Sequence, residues 1–219
     1  MENKKLDIDA VLFDMDGLIL DTEKIYNKCW IEAARYYGFD MSFSEQLLLR
    51  SNSPKYAAPL LKELYGPECD YFKIKARRQK IMADYYKTHE IEKKPYVEEL
   101  LTYLKGKGIK AAVATATGLD RTEEYLKRVD LFDKFDKIIS CSMVENGKPD
   151  PDVYLYACKE VGVDTDRCLA LEDSPNGCLS AYRAGVPVIM VPDLSEPDEK
   201  TRSIVYAVVK NLRAVEEYI

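Results

Sequence analysis

Residues 10–23 read AVLFDMDGLILDTE. An unbroken apolar run, Ala10 to Phe13, leads directly into Asp14 and Asp16, with Asp21 and Glu23 close behind. The end of a buried strand is a costly place for negative charge. Either the acids point into water or something positive is meant to sit among them. The unbroken run itself fits a strand covered on both faces, as in a parallel sheet.

Similar runs recur along the 219 residues: KAAVA (110–114), KIIS (137–140), CLALE (168–172) and VPVIMV (186–191), with YAVVK (206–210) as an edge strand. Helical stretches separate them. Val97 to Lys107 stops before Gly108. The segment 118–129 opens where Thr117 and Asp120 resemble a capping box. KPDPDVYLYACKEVG places Asp150 as N-cap, Pro151 at the first helical position and Gly162 at the end, and DSPNGCLSAYRAG repeats the device with Ser174, Pro175 and Gly185. Alternation of strand and helix predicts an α/β fold, a doubly wound parallel sheet. Residues from about 22 to 92 break the rhythm. They carry helical patterns, with Ile25, Cys29, Ala33 and Tyr37 on one stripe and 70–88 as a long candidate, and no convincing strand. The division this predicts is a core of 1–20 and 93–219 with a helical insertion at 21–92.

Composition narrows the function. Apolar residues make up 47% of the chain, enough for a substantial core. A net charge of -6 argues against sequence-independent nucleic-acid binding, and the basic run KARRQK (75–80) reads as a solvated helix face. No apolar run approaches the ~20 residues of a membrane span. The N-terminal MENKKLDIDA lacks the apolar centre of a signal peptide. Six scattered cysteines (29, 69, 141, 158, 168, 178) form no C-x-x-C pair and read as small buried hydrophobes of a cytoplasmic protein. The single histidine, His89, reads as a surface or hinge residue.

The polar residues that follow each strand converge on one edge. Asp14 and Asp16 follow the first strand, Thr115 and Ala116 the second, Lys148 the loop after the third, and Glu172 and Asp173 the fourth. Open α/β sheets bind ligands at that edge. Two like charges ~4 Å apart at an effective dielectric of ~20 cost up to ~4 kcal/mol, which a divalent cation relieves. Oxygen ligands without histidine or cysteine favour magnesium over zinc. A metal, a lysine, a hydroxyl and a helix N-terminus together describe a phosphate site. A serine or cysteine nucleophile would want a base such as histidine beside it. No G-x-x-x-x-G-K-[ST] loop is present. A carboxylate can attack phosphorus, and Asp14 is best placed to do so. Asp16 is then the candidate acid/base.

DMDGLILDTE, VATAT, GKPDPDVY and LEDSPNG, in this order and spacing, resemble the four motifs of the haloacid dehalogenase superfamily, in its phosphatase and β-phosphoglucomutase-like branch. The resemblance spans nearly the whole chain. It implies a Rossmann-like core with a helical cap at 21–92. It makes Asp14 nucleophile and magnesium ligand, and Asp16 acid/base with its backbone carbonyl on the metal. Thr115 and the Ala116 amide bind the transferring phosphoryl group, Lys148 bridges that group and Asp14, and Asp173 ligates magnesium with Glu172 beside it in the first or the next shell. The true dehalogenases lack the second aspartate of the first motif, so Asp16 speaks for phosphoryl transfer. Asp21 or Thr22 is expected to cap the first cap helix, and Glu23 to hold the hinge or face the substrate.

The β-phosphoglucomutases of this branch carry a cap loop of Gly-Val-Ser-Arg type and a histidine in the first cap helix. Here the corresponding stretches are RSNSPK (50–55), where Arg50 or Lys55 would have to substitute, and DTEKIYNK. Hydrolysis is therefore the expected reaction, with a mutase as the alternative. Arg77 and Arg78 are candidates for an anionic end of the substrate, although a solvated helix face is the more ordinary reading. The expected partner is a small phosphorylated metabolite, handled without nucleic acid or membrane by a monomer or homodimer.

Overall fold

A computed structural model describes residues 5–219, so the first four residues of the expected core and of MENKKLDIDA lie outside the described part. Six strands, all parallel, form one sheet: β1 (Ala10–Phe13), β2 (Lys110–Thr115), β3 (Lys137–Ser140), β4 (Cys168–Glu172), β5 (Val188–Met190) and β6 (Ala207–Val208). Their order is β3-β2-β1-β4-β5-β6, with the short β6 at an edge as expected. The chain winds one way from β1 to β3 and the other from β4 to β6, so the switch point lies beside β1.

Side-chain alternation explains why these runs are unbroken. Val11 and Phe13 face one core with Leu100 and Leu104 of α5 (Val97–Lys107) and Leu126 of α6 (Leu119–Arg128). Ala10 and Leu12 face the opposite core with Tyr154 and Ala157 of α7 (Asp152–Val161) and Ala181 of α8 (Pro175–Arg183). Both faces are therefore dry, and each residue of β1 is fully buried. A further short helix (Glu199–Ile204) precedes β6.

Between β1 and β2 the chain forms α1 (Glu23–Tyr36), α2 (Phe43–Leu47), α3 (Pro54–Tyr65) and α4 (Tyr71–Tyr85). Trp30, Ala33, Leu61 and Ile74 give these helices a cluster of their own. Tyr37 leaves the expected stripe, because α1 ends one residue earlier and the ring is exposed. The two crossings between helices and sheet pair with each other: Leu20 bridges Lys93 antiparallel, Asp21 N donates to Glu92 O (2.8 Å) and Lys94 N to Ile19 O (2.8 Å).

Two caps differ from expectation. Helix α7 begins at Asp152 with Pro151 as N-cap, so Asp150 lies outside the helix and instead accepts hydrogen bonds from Tyr56 (2.8 Å) and Lys55 (3.0 Å) of α3. Helix α6 is preceded by Gly118 and has no side-chain cap, because Thr117 is engaged elsewhere. Ser174 caps α8 as expected, accepting from Gly177 N. His89 is exposed and stacks on Tyr85, and all six cysteines are free thiols.

Candidate active site

Asp14 is the first residue beyond β1, and its amide still joins the sheet by donating to Leu171 O (3.0 Å). Its carboxylate is buried. Lys148, fully buried on the loop between β3 and α7, donates to Asp14 Oδ1 and to Glu172 Oε1, both at 2.6 Å, and to Ala114 O at 2.9 Å. Burial alone would strip the lysine of its proton, but Asp14 and Glu172 outweigh it and hold the ammonium charged. Tyr154 of α7 donates to the same Glu172 oxygen (2.6 Å). One lysine thus ties the ends of β1, β2 and β4 together.

Carboxylate oxygens of Asp14, Glu172 and Asp173 lie within 4.8 Å of one another, all buried. Burial pushes Asp14 up to about 7, helped by the charges of Glu172 and Asp16 and opposed by Lys148. Burial also raises Asp173 well above the usual carboxylate range. Asp173 Oδ1 has no hydrogen-bond partner among the described residues, although it is sealed from water. Carboxylates in this state favour a cation among them. The donors are oxygen only, which suits a hard divalent ion. Two glycines make the approach possible. Gly17 has φ +89, and a Cβ there would lie 2.0 Å from Asp173 Oδ2; one on Gly177 would lie 2.0 Å from the Glu172 carboxyl group.

Asp16 points elsewhere. Its Oδ1 accepts from Thr22 Oγ1 and its Oδ2 from Thr117 Oγ1, each at 2.6 Å. Burial raises its affinity for a proton against the pull of these two bonds. Asp16 is thus absent from the carboxylate cluster, its side chain engaged by the two hydroxyls. Thr22 begins α1 without capping it, because its hydroxyl is spent on Asp16. Thr115 Oγ1 accepts from Thr117 N (3.1 Å), which fixes the turn after β2.

From the helical side, Arg50 enters the site. It is buried, its Nη2 donates to Asp173 Oδ2, and its Nε lies 3.4 Å from Glu23 Oε2. Glu23 is buried beside it and pushed up to about 8 by burial and the nearby aspartates, against Arg50. Asn176 Nδ2 donates to Arg50 O (2.9 Å), and Ser53 N to Lys148 O (2.8 Å), so this segment docks on the loops of the sheet.

Above these groups lies a cavity of about 550 Å³. Asp14, Asp16, Thr115, Ala116, Glu23 and Arg50 line it, while Lys148, Glu172 and Asp173 are absent from its lining. Sequence reasoning missed Thr22, Thr117 and Tyr154, and of its two readings of Arg78 it ranked the solvated face first. That arginine is 5% exposed and lines the cavity, so the basic run of α4 is not wholly a solvated face. The usable signal was position: Thr22 and Thr117 each follow a strand-end motif within a few residues.

A doubly wound parallel sheet with acidic residues and a lysine gathered beside its switch point defines an α/β enzyme with its site at the carboxyl edge. The chain belongs to the haloacid dehalogenase-like hydrolase family, which it matches over residues 11–191. It is 31% identical over 183 residues to the phosphorylated carbohydrates phosphatase of Thermotoga maritima, covering 82% of each chain. It is 29% identical over 192 residues to hexitol phosphatase B of Escherichia coli, covering 84% of this chain and 83% of the relative. The crystal structure of CbbY from Rhodobacter sphaeroides in complex with phosphate superposes with a TM-score of 0.75 at 28% identity, covering 94% of this chain and 95% of the other.

Proposed function

We propose that the protein hydrolyses small phosphomonoesters, sugar or sugar-alcohol phosphates foremost, through a phosphoryl group carried on Asp14. Residues 1–20 and 93–219 serve as the catalytic core and 21–92 as a cap over it, in the cytoplasm. The observation that carries this reading is the contrast between two aspartates two residues apart. Asp14 is set against the Lys148 ammonium and the other acids, while Asp16 is turned away from them to two hydroxyl donors. Neighbouring carboxyl groups in different settings are how one site obtains both a nucleophile and an acid.

In the proposed sequence the Asp14 carboxylate attacks phosphorus in line with the ester oxygen, and Asp16 gives its proton to the departing alkoxide. Water then attacks the aspartyl-phosphate as Asp16 takes back a proton, and inorganic phosphate leaves. Thr115 and the Ala116 amide hold the phosphoryl oxygens, and Lys148 keeps Asp14 ionised and oriented. Glu23 and Arg50 face the substrate at the seam between helices and sheet. Asp14, the Asp16 carbonyl, Asp173 and Glu172 would hold magnesium. When bound, that ion neutralises charge on the transferring group. The docked helical segment keeps bulk water from the cavity.

The test is phosphorus NMR of the protein with magnesium and a panel of hexose, hexitol and glycerol phosphates. Growth of inorganic phosphate is the expected result. Isomerisation of one sugar phosphate with little free phosphate would replace hydrolysis by the mutase alternative, and no reaction with any ester would reject the proposal.

A further inference from the structure

The cavity holds more positive charge than the acid cluster uses. Arg50 is neutralised by Asp173 and Glu23, and Lys148 by Asp14 and Glu172. Lys55, at the rim, pairs with Asp150. Three further cations line the cavity: Lys75 and Arg78 on α4, and Arg121 on α6. Among the described residues none of these three forms an ion pair. Arg78 is the telling one. It is 5% exposed, its Nε has no acceptor, and its Nη1 reaches only the Met82 thioether at 4.0 Å. Its guanidinium carbon lies 4.7 Å from the centre of the Tyr26 ring and 5.1 Å from that of Trp30. Aromatic faces offset part of the cost of burying a cation but leave its in-plane N–H groups free for a forked acceptor.

The three cations share one field. Burial and the charges of Arg78 and Arg121 depress Lys75 below the usual lysine range. Arg78 and Arg121 both act on Asp16, which already has both hydroxyl donors, and Glu145, the remaining acid of the lining, forms no ion pair with any of the three among the described residues. Between Asp16 and Arg78 stand Thr117 and the Tyr26 ring, with Thr117 Oγ1 3.3 Å from the Tyr26 hydroxyl. A phosphoryl group at Asp14 therefore leaves Arg78 unpaired, with Arg121 beside it on the Tyr26 hydroxyl.

We propose that Lys75, Arg78 and Arg121 form a second anion subsite, and that the substrate is a phosphomonoester bearing a further carboxylate or phosphate at its far end. The proposal rests on the phosphatase reading only for where the first phosphoryl group sits. A cavity of about 550 Å³ has room for a six-carbon chain between the two anionic ends.

Equilibrium binding tests it without turnover. An Asp14→Asn protein with magnesium is titrated calorimetrically with glucitol 6-phosphate, 6-phosphogluconate and a glucitol bisphosphate. The three share a carbon chain and differ in the far end. The doubly anionic ligands are expected to bind at least about tenfold more tightly than glucitol 6-phosphate, and the better of the two identifies the second anion. Adding Arg78→Gln is expected to cut that preference by roughly tenfold to a hundredfold, the scale of a charge-assisted hydrogen bond. Arg121→Gln and Lys75→Gln, at less buried positions, repeat the test if Arg78→Gln fails to fold. Equal affinities for all three ligands, or a preference that survives these substitutions, would overturn the subsite. Failure of the unsubstituted protein to release phosphate from any ester would reject the phosphatase reading instead, and leave the binding result standing.

Discussion

Thr117, on the loop after β2, donates its hydroxyl to Asp16 Oδ2, on the loop after β1, at 2.6 Å. Together with Thr22 it fixes the plane of the Asp16 carboxyl group. Thr117→Val keeps the shape and removes this donor. A hydrogen bond to a charged group contributes about 1.5–3 kcal/mol, so kcat is expected to fall about tenfold to a hundredfold with the fold intact. Steady-state kinetics beside circular dichroism checks this, and a wild-type kcat would show that Asp16 needs no such support.

Gly177 gives the Glu172 carboxyl group its place. Gly177→Ala sets a methyl group 2.0 Å from that carboxyl carbon, so Glu172 must leave Lys148 or α8 must shift. Overpacking of this kind costs about 1–3 kcal/mol. The expected result is a lower denaturant midpoint and activity reduced by more than tenfold. Unchanged stability would mean that Glu172 swings aside freely.

Lys148 neutralises two buried carboxylates at once. Lys148→Met removes its charge and leaves Asp14 and Glu172 uncompensated, a change that costs about 3–5 kcal/mol for a buried pair. Equilibrium unfolding in urea measures the loss. The same cluster predicts that magnesium raises the thermal midpoint of the unsubstituted protein, that a chelator reverses this, and that Asp173→Asn weakens the response. A midpoint indifferent to magnesium would argue against a cation site.

Asp150 joins the loop before α7 to α3. Partial burial pulls its pKa up, but the bonds from Lys55 and Tyr56 prevail and hold it below the usual aspartate value of 3.8. A depressed carboxylate stabilises the fold above its unfolded pKa, and that contribution is lost as pH falls through the folded one. Asp150→Asn is therefore expected to lower the denaturant midpoint only slightly at neutral pH, because Lys55 is exposed and solvent screens the pair. The gap between the two proteins should close as pH drops below 3.8. A gap independent of pH would assign the effect to packing.

The strands were the most legible part of the chain. KIIS and CLALE coincide with β3 and β4, because burial on both faces writes itself as an unbroken apolar run. Asp14, Lys148, Glu172 and Asp173 were legible because motif order places them at strand ends. Thr22 and Thr117 were read as helix caps because a hydroxyl at a helix start has two uses, and only the fold shows that Asp16 lies within reach of both. For Arg78 the sequence offered both a substrate contact and a solvated charge, for a related reason: sequence period marks a polar face of α4, and only tertiary packing sets that face against Tyr26 and Trp30. Asp150 looked like an N-cap beside Pro151, but α3 supplies it with stronger partners than the helix does.

The central claim is that Asp14 carries the phosphoryl group. Acid quenching during steady turnover of a hexitol phosphate, followed by mass spectrometry of the peptide containing Asp14, tests it directly. A hydroxylamine-labile phosphoryl group on Asp14, absent from an inactive Asp14→Asn protein, is the predicted result. Turnover with Asp14 unmodified at every quench time, or an Asp14→Asn protein as active as the original, would contradict it.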